Sequence, residues 1–248
     1  MKNALILTRF DPKNDPRPRR MIRWLRGIST VTVAGDTPVL SRKGDIIPLG
    51  IPGPSLPMKE NARILATRLK YVLLGRDPLF LLVPGLLPGA DRSPPLEEKS
   101  FDLIVSHDLV LLPLAFRIKK GKSKVILDAR EFYPKNFDDQ LVWRLTSKPL
   151  NQYLCRKYLR LCDRVFTVSE GIAEEFHAQY GVLPEVIMSL PEYHALQPSP
   201  VDRDHIRIIH HGWASPSRRI DRMIQVMDYV DDRFTLDLMM IPGKGRAW

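Results

Sequence analysis

FDLIVSHD (101–108), KVILDARE (124–131), DRVFTVSEGIAEEFHAQYG (163–181) and IRIIHHGWASPSRRIDRMI (206–224) decide the fold of this 248-residue chain. Each opens with an apolar run of four to six residues, closes that run on a polar cluster and leads into a helical pattern. Repeated units of this kind predict an α/β protein built on a parallel sheet. Open sheets of this class take ligands beyond the carboxyl ends of their strands. Ser106–His107–Asp108, Asp128–Glu131 and Ser169 stand at such ends and are the first candidates for function.

Working outward, ALILT (4–8) reads as the first strand, followed by a proline-containing loop over 9–16 and a helix over 17–27 closed by Gly27. TVTVA (30–34) is the second strand. Residues 36–57 hold five prolines and three glycines and read as loop. Residues 58–74 carry apolar side chains at helical spacing, and 84–99 form a second proline-rich connector. Residues 138–162 read as helix interrupted at Pro149, a short strand is expected near Glu185–Met188, and FTLDLMMI (234–241) is the last strand. This gives a Rossmann-like domain over 1–195, a linker over 196–205 and, over 206–248, the start of a second Rossmann-like unit that is incomplete. One β-α-β unit is too small to bury a core of its own.

Composition narrows the function classes. With 44% hydrophobic and 27% charged residues the chain is an ordinary globular protein. Its net charge of +10 points to an anionic partner: a nucleotide, a phospholipid surface or a nucleic acid. No recognised nucleic-acid motif accompanies the charge, so nucleic acid is not expected. Cys155 and Cys162 stand seven residues apart in a helical stretch. Two turns place them about 10 Å apart, too far for a disulfide, and a reducing cytoplasm fits. No CxxC or His/Cys cluster suggests a metal. The four-residue apolar run before Thr8 is too short for a signal sequence. LFLLVPGLLPG (79–89), broken by two prolines, reads as a buried strand and turn rather than a membrane-touching loop.

The site residues follow from position. A glycine turn at Gly212 leads to a helix start, with Ser215 as cap and Pro216 in the first helical position, which would present free N–H groups to an anion. Arg218 and Arg219 then fall in the first turn, where a cation is unfavourable unless it faces an anion; a solvated basic helix start is the plainer alternative. His107 is a ligand-contacting or a packing residue. Asp128 and Glu131 could act as acid/base groups, or pair with Arg130. Ser169 is most simply a helix cap. Arg17, Arg19, Arg20, Arg23 and Arg26 surround Met21, Ile22, Trp24 and Leu25, giving a helix suited to an anionic acceptor, to an anionic membrane, or simply to water on its basic side. The absence of GxGxxG after the first strand disfavours nicotinamide chemistry, and P-loop, GxSxG and HExxH patterns are also missing.

Taken in order, NDPRPRR (14–20), SHDLVLLPLA (106–115), LDAREFYP (127–134), DRVFTVSEGIAEEF (163–176) and HGWASPSRRIDRMI (211–224) resemble the glycosyltransferase family 4 group of the GT-B fold. The resemblance covers most of the chain. It implies an enzyme moving a sugar, as a hexosyltransferase does, from a nucleotide-sugar donor to a polysaccharide or lipid-linked acceptor, with retention, without metal and with no cofactor beyond the nucleotide-sugar substrate. In such enzymes the first domain shapes the acceptor site and the second grips the donor. The resemblance therefore gives His107 and Glu131 catalytic places and Gly212, Arg218 and Arg219 the donor diphosphate. It leaves Arg9, Arg17, Arg19 and Arg20 to an acceptor or a membrane. A cytoplasmic location is expected, with peripheral contact at the inner membrane face.

The sequence also departs from the family. Gly212–Trp213 stands where Gly-Arg is usual, and Asp128-Ala129-Arg130-Glu131 has arginine in the place of a histidine. The paired glutamates that hold the donor would lie beyond Trp248. These departures support an alternative: a truncated, non-catalytic relative that binds an acceptor or a partner subunit.

Overall fold

The computed structural model describes residues 2–9, 12, 15–35, 46–48, 94–214 and 218–241. The chain divides into two compact units, Met1–Leu190 and Pro191–Trp248. The helix expected over 58–74, the strand and turn expected over 79–89, and Ser215–Pro216 fall outside the described residues.

The first unit is a seven-stranded sheet, every neighbouring pair parallel. In chain order its elements are β1 (Lys2–Leu7), α1 (Pro16–Arg26), β2 (Ser29–Gly35), β3 (Ile46–Pro48), α2 (Pro94–Glu97) and β4 (Leu103–Ser106). They continue with α3 (Leu112–Ile118), β5 (Lys124–Asp128), α4 (Leu141–Tyr158), β6 (Arg164–Thr167), α5 (Glu170–Tyr180) and β7 (Glu185–Val186). The strand order is β3-β2-β1-β4-β5-β6-β7, so the chain builds outward from β1 in one direction and then restarts at β4 in the other. That reversal between β1 and β4 is where an open parallel sheet forms its ligand crevice.

Both faces of the sheet are covered, which is why its strands read as continuous apolar runs rather than alternating ones. Leu5, Leu7, Ile104, Leu112, Leu127, Leu154 and Phe176 belong to one buried cluster. Ile6 and Val33 face the other way and pack with Ile22 of α1. Phe132 and Phe176 meet edge to face, ring centroids 4.9 Å apart, and join α5 to the loop after β5. Gly35 is required by close approach: a Cβ there would lie 2.9 Å from the Thr8 carbonyl oxygen. The α5 helix ends at Gly181, whose φ of 66° only glycine adopts without strain.

Three sequence expectations change. The proline-rich 36–57 segment contains β3, a three-residue edge strand. The helix expected to break at Pro149 runs through it, from Leu141 to Tyr158. Cys162 lies past the end of that helix instead of sharing its face with Cys155.

The second unit holds β8 (Ile206–Trp213), α6 (Ile220–Gln225) and β9 (Phe234–Ile241). The strands run parallel, in register from Ile206 opposite Phe234 to Trp213 opposite Ile241. Ile220 anchors α6 and is fully buried. Ile209, Met239 and Ile241 share the other side of the pair and are exposed. Parallel sheets are ordinarily covered on both faces, and among the described residues this side of the β8–β9 pair is left exposed.

Candidate functional site

The β4 strand ends at Ser106, and the backbone N–H of His107 donates to Leu7 O at 2.9 Å, pinning the histidine beside the end of β1. The next residue shapes the turn. Ser106 Oγ donates to the Asp108 carbonyl at 2.8 Å, and Asp108 Oδ1 accepts from Val110 N at 3.3 Å. The His107 side chain is thereby held inside the protein, with no exposed surface. Asp128, the last residue of β5, is equally buried. His107 Nδ1 lies 2.8 Å from Asp128 Oδ2, close enough for charge attraction though poorly aligned for a hydrogen bond.

The carboxylate has a stronger partner in Arg17, from the first turn of α1. Arg17 Nε donates to both carboxylate oxygens, at 2.9 and 2.7 Å, and Nη2 donates to Oδ1 at 2.5 Å. Its Nη1 donates to Ile187 O at 2.7 Å. Burial on its own would raise the Asp128 pKa; the contacts with His107 and Arg17 overcome it and hold the carboxyl below the usual range. Asp128 is therefore an ionised acceptor at neutral pH.

A second pair stands next to this one. Asp15 caps α1 by accepting from Arg17 N at 3.3 Å, and its other oxygen accepts from Arg130 Nη1 at 2.5 Å. Tyr133 is buried in the same neighbourhood. Burial first, and then the negative charges of Asp108, Glu131 and Asp128, push its hydroxyl pKa well above the ordinary value, against the opposing pull of Arg130. Burial likewise raises Asp108, against the pull of Arg9 and Arg130.

Three buried polar atoms at these strand ends have no hydrogen-bond partner among the described residues: both ring nitrogens of His107, after β4, and Thr167 Oγ1, at the end of β6; of the two ring nitrogens, Nδ1 has the Asp128 carboxylate beside it as a charge partner. Leaving a buried polar atom unsatisfied costs about 1–3 kcal/mol, so atoms of this kind mark places that a ligand or water completes. An imidazole held by a carboxylate through one nitrogen can present the other to a hydroxyl or a developing charge.

The sequence candidates distribute unevenly around this centre. His107 is in it. Arg17, assigned from sequence to an acceptor or membrane face, is instead turned inward and only 7% exposed, because Asp128 compensates its charge. Arg130 pairs with Asp15, not with Asp128 or Glu131. Glu131 is exposed and accepts a hydrogen bond from Asn136 Nδ2. Arg9 and Arg19 are exposed, while Arg20 is half-buried and donates to Ser189 Oγ at 2.8 Å and to the Leu190 carbonyl. Ser169 occupies the cap position of α5 without making a side-chain capping bond. Sequence reading missed Thr167 and Tyr133; strand-end position is the only signal that could have singled out Thr167.

In the second unit Gly212 lies within β8 at φ 150°, a conformation open to glycine. Arg218 and Arg219 are exposed. They precede α6 rather than forming its first turn: the helix begins at Ile220, and Arg219 is its left-handed cap residue at φ 49°. Arg219 is engaged with Asp221, Nη2 to Oδ2 at 3.0 Å. Among the described residues no group of three His, Cys, Asp or Glu side chains could hold a metal ion, and no helix is long and apolar enough to cross a membrane.

By sequence the chain matches no protein family and no curated protein. By fold it is similar to TarM, with a TM-score of 0.63 at 12% identity, covering 99% of this chain and 72% of that one. Arabidopsis thaliana UGT89C1 complexed with UDP-L-rhamnose aligns with a TM-score of 0.48 at 15% identity, over 98% of this chain and 69% of that one. The same protein complexed with quercetin gives 0.43 at 14% identity, over 98% and 70%. At 12% identity the likeness to TarM establishes the fold, a Rossmann-like α/β architecture.

Proposed function

We propose that this protein is a glycosyltransferase of the family 4 type, transferring a sugar with retention from a nucleotide-sugar donor to a polysaccharide or lipid-linked acceptor. One observation carries the reading: His107, fixed by Asp128 at the strand-order reversal, keeps a buried Nε2 without a partner among the described residues. The motif order and the shared fold support it.

In this reading His107 contacts and orients the donor sugar through Nε2. Positive charge develops on the sugar and negative charge on the departing diphosphate. Gly212 near the end of β8, Arg218 and Arg219 stabilise the diphosphate electrostatically, and Arg219 must exchange its Asp221 partner to do so. Glu131, Arg9 and Arg19 meet the acceptor. The exposed side of α1, with Trp24 at 60% exposure among arginines, suits peripheral contact with an anionic membrane at the inner face of the cell. The nucleotide-sugar is substrate, and no further cofactor is invoked.

The test is transfer from a panel of UDP-, GDP- and ADP-sugars, followed as nucleotide release dependent on acceptor. His107→Ala should lower turnover about 100-fold while the protein stays folded. Equal turnover by His107→Ala, or none by the parent chain across the panel, would overturn the proposal. The exposed apolar side chains Ile209, Met239 and Ile241 favour a second reading, a non-catalytic relative that binds an acceptor or partner subunit. Such a protein would bind without releasing nucleotide.

A further inference from the structure

Arg17 occupies an unfavourable place for a cation, buried and in the first turn of a helix. Its three guanidinium nitrogens are all used, and on two different parts of the fold: Nε and Nη2 on Asp128, Nη1 on the carbonyl of Ile187. Ile187 follows β7 and is tied to the sheet by its own N–H, which donates to Thr167 O at 2.8 Å. One turn along α1, Arg20 takes hold of Ser189 and Leu190. Residues 187–190 are the end of the first compact unit. The α1 helix therefore grips the segment by which the chain leaves that unit, and the same guanidinium fixes the carboxylate that touches the site histidine.

We propose that Arg17 is a positioning residue that sets His107 through Asp128 and, with the same side chain, holds the exit segment at Ile187, so that the histidine and the segment are ordered together. What His107 is ordered for rests on the glycosyltransferase reading above. The planar fork is essential: a lysine ammonium is a point charge on a flexible stem and cannot serve a carboxylate bidentately while reaching a carbonyl on the other side. Asp108, Tyr133, Glu131, Arg130 and Arg9 act electrostatically on one another in the same neighbourhood, with Asp15 on Arg130, and the charged contact of His107 Nδ1 is with Asp128 at 2.8 Å.

The experiment is NMR on the full chain labelled with ¹⁵N. Because Asp128 is ionised and accepts only, the ring proton of His107 should be fixed on Nδ1, the nitrogen 2.8 Å from the carboxylate. In Arg17→Lys, folded by the criterion of unchanged amide protection in β1, β4 and β5, the two tautomers should average. The Ile187 amide, which donates to Thr167 O, should then exchange about tenfold faster. A folded Arg17→Lys with the parent tautomer and parent exchange would overturn the proposal, since a bridge that is merely structural leaves the histidine signature alone. If that variant does not fold, the parent protein decides: a single Nδ1–H tautomer supports the proposal and an averaged one refutes it. Absence of sugar transfer by the parent chain would sink the glycosyltransferase reading while leaving both NMR signals in place.

Discussion

Asp15 and Arg130 meet at 2.5 Å across 115 residues, joining the start of α1 to the loop after β5. The aspartate does two jobs with its two oxygens, capping the helix through one and pairing the arginine through the other. Asp15 is 7% exposed, so neither bond is fully screened by water. Asp15→Ala should destabilise the protein by about 1–3 kcal/mol, the cap and a partly buried charge-assisted bond together. Asp15→Asn keeps the capping oxygen and should lose less. Urea denaturation of the two variants checks this; equal losses would mean that the cap contributes nothing.

Asp128 gives the protein a defined acid limb. Its pKa is held below the unfolded value of about 3.9. The stability it contributes is thus fully present above that value and is lost as pH falls through the depressed folded one. Asp108 has the opposite sign: burial raises it, so its ionised form opposes folding, and that penalty is relieved as the pH drops. Asp128→Asn should cost about 3–5 kcal/mol at pH 7, because it leaves Arg17 buried without its counter-charge. The difference from the parent should shrink toward pH 3. Denaturation curves at pH 3–7 decide it, and a constant difference across that range would remove Asp128 as the source of the acid limb.

The distance between what could be read from sequence and what could not is physical. The strands over 101–106, 124–128 and 163–168 announced themselves because a strand buried on both faces needs an uninterrupted apolar run. The β3 strand could not, since a three-residue edge strand among prolines has no pattern to show. His107 and Asp128 were visible as polar residues at strand ends, where the architecture puts function. Arg17 was not. A helix with five arginines gives the same amphipathic pattern whether or not one of them has a carboxylate waiting 111 residues away. The register that brings Leu103 opposite Lys124 in β4 and β5 delivers Asp128 to that place, and register is a property of the sheet rather than of either segment.

The same contrast separates the candidate residues of the first unit from those of the second. His107, Asp128 and Arg17 are locked by bonds to backbone and to one another, with side-chain exposures of 0%, 0% and 8%. Arg218 and Arg219 lie on the surface, and Arg219 rests on a neighbouring aspartate. A preorganised group loses little on meeting its ligand, whereas an exposed arginine must first give up an existing partner. Donor phosphate binding by Arg219 should therefore be salt-sensitive and weak, while the histidine's geometry should not depend on donor at all.

The cysteines give a local probe of the helix end that supports this core. Cys155, on α4, is 1% exposed, and Cys162 is partly buried beyond the helix; both are free thiols. Burial pushes Cys155 up to about 12, against the weaker pull of a hydrogen bond with Tyr180 and of Arg156. Burial, reinforced by Asp163, does the same for Cys162, to about 12. Only the thiolate is alkylated, so at pH 8 both should react with iodoacetamide on the order of a thousand-fold more slowly than an ordinary exposed thiol. In guanidinium chloride both should react at the ordinary rate. Labelling under native conditions, read by peptide mass, should reach Cys162 before Cys155, because the turn at Leu159–Leu161 opens more readily than the packed middle of the first unit. Rapid native labelling of Cys155 would mean that α4 does not stay docked on the sheet, and with it would go the rigid seat assigned to His107 and Asp128.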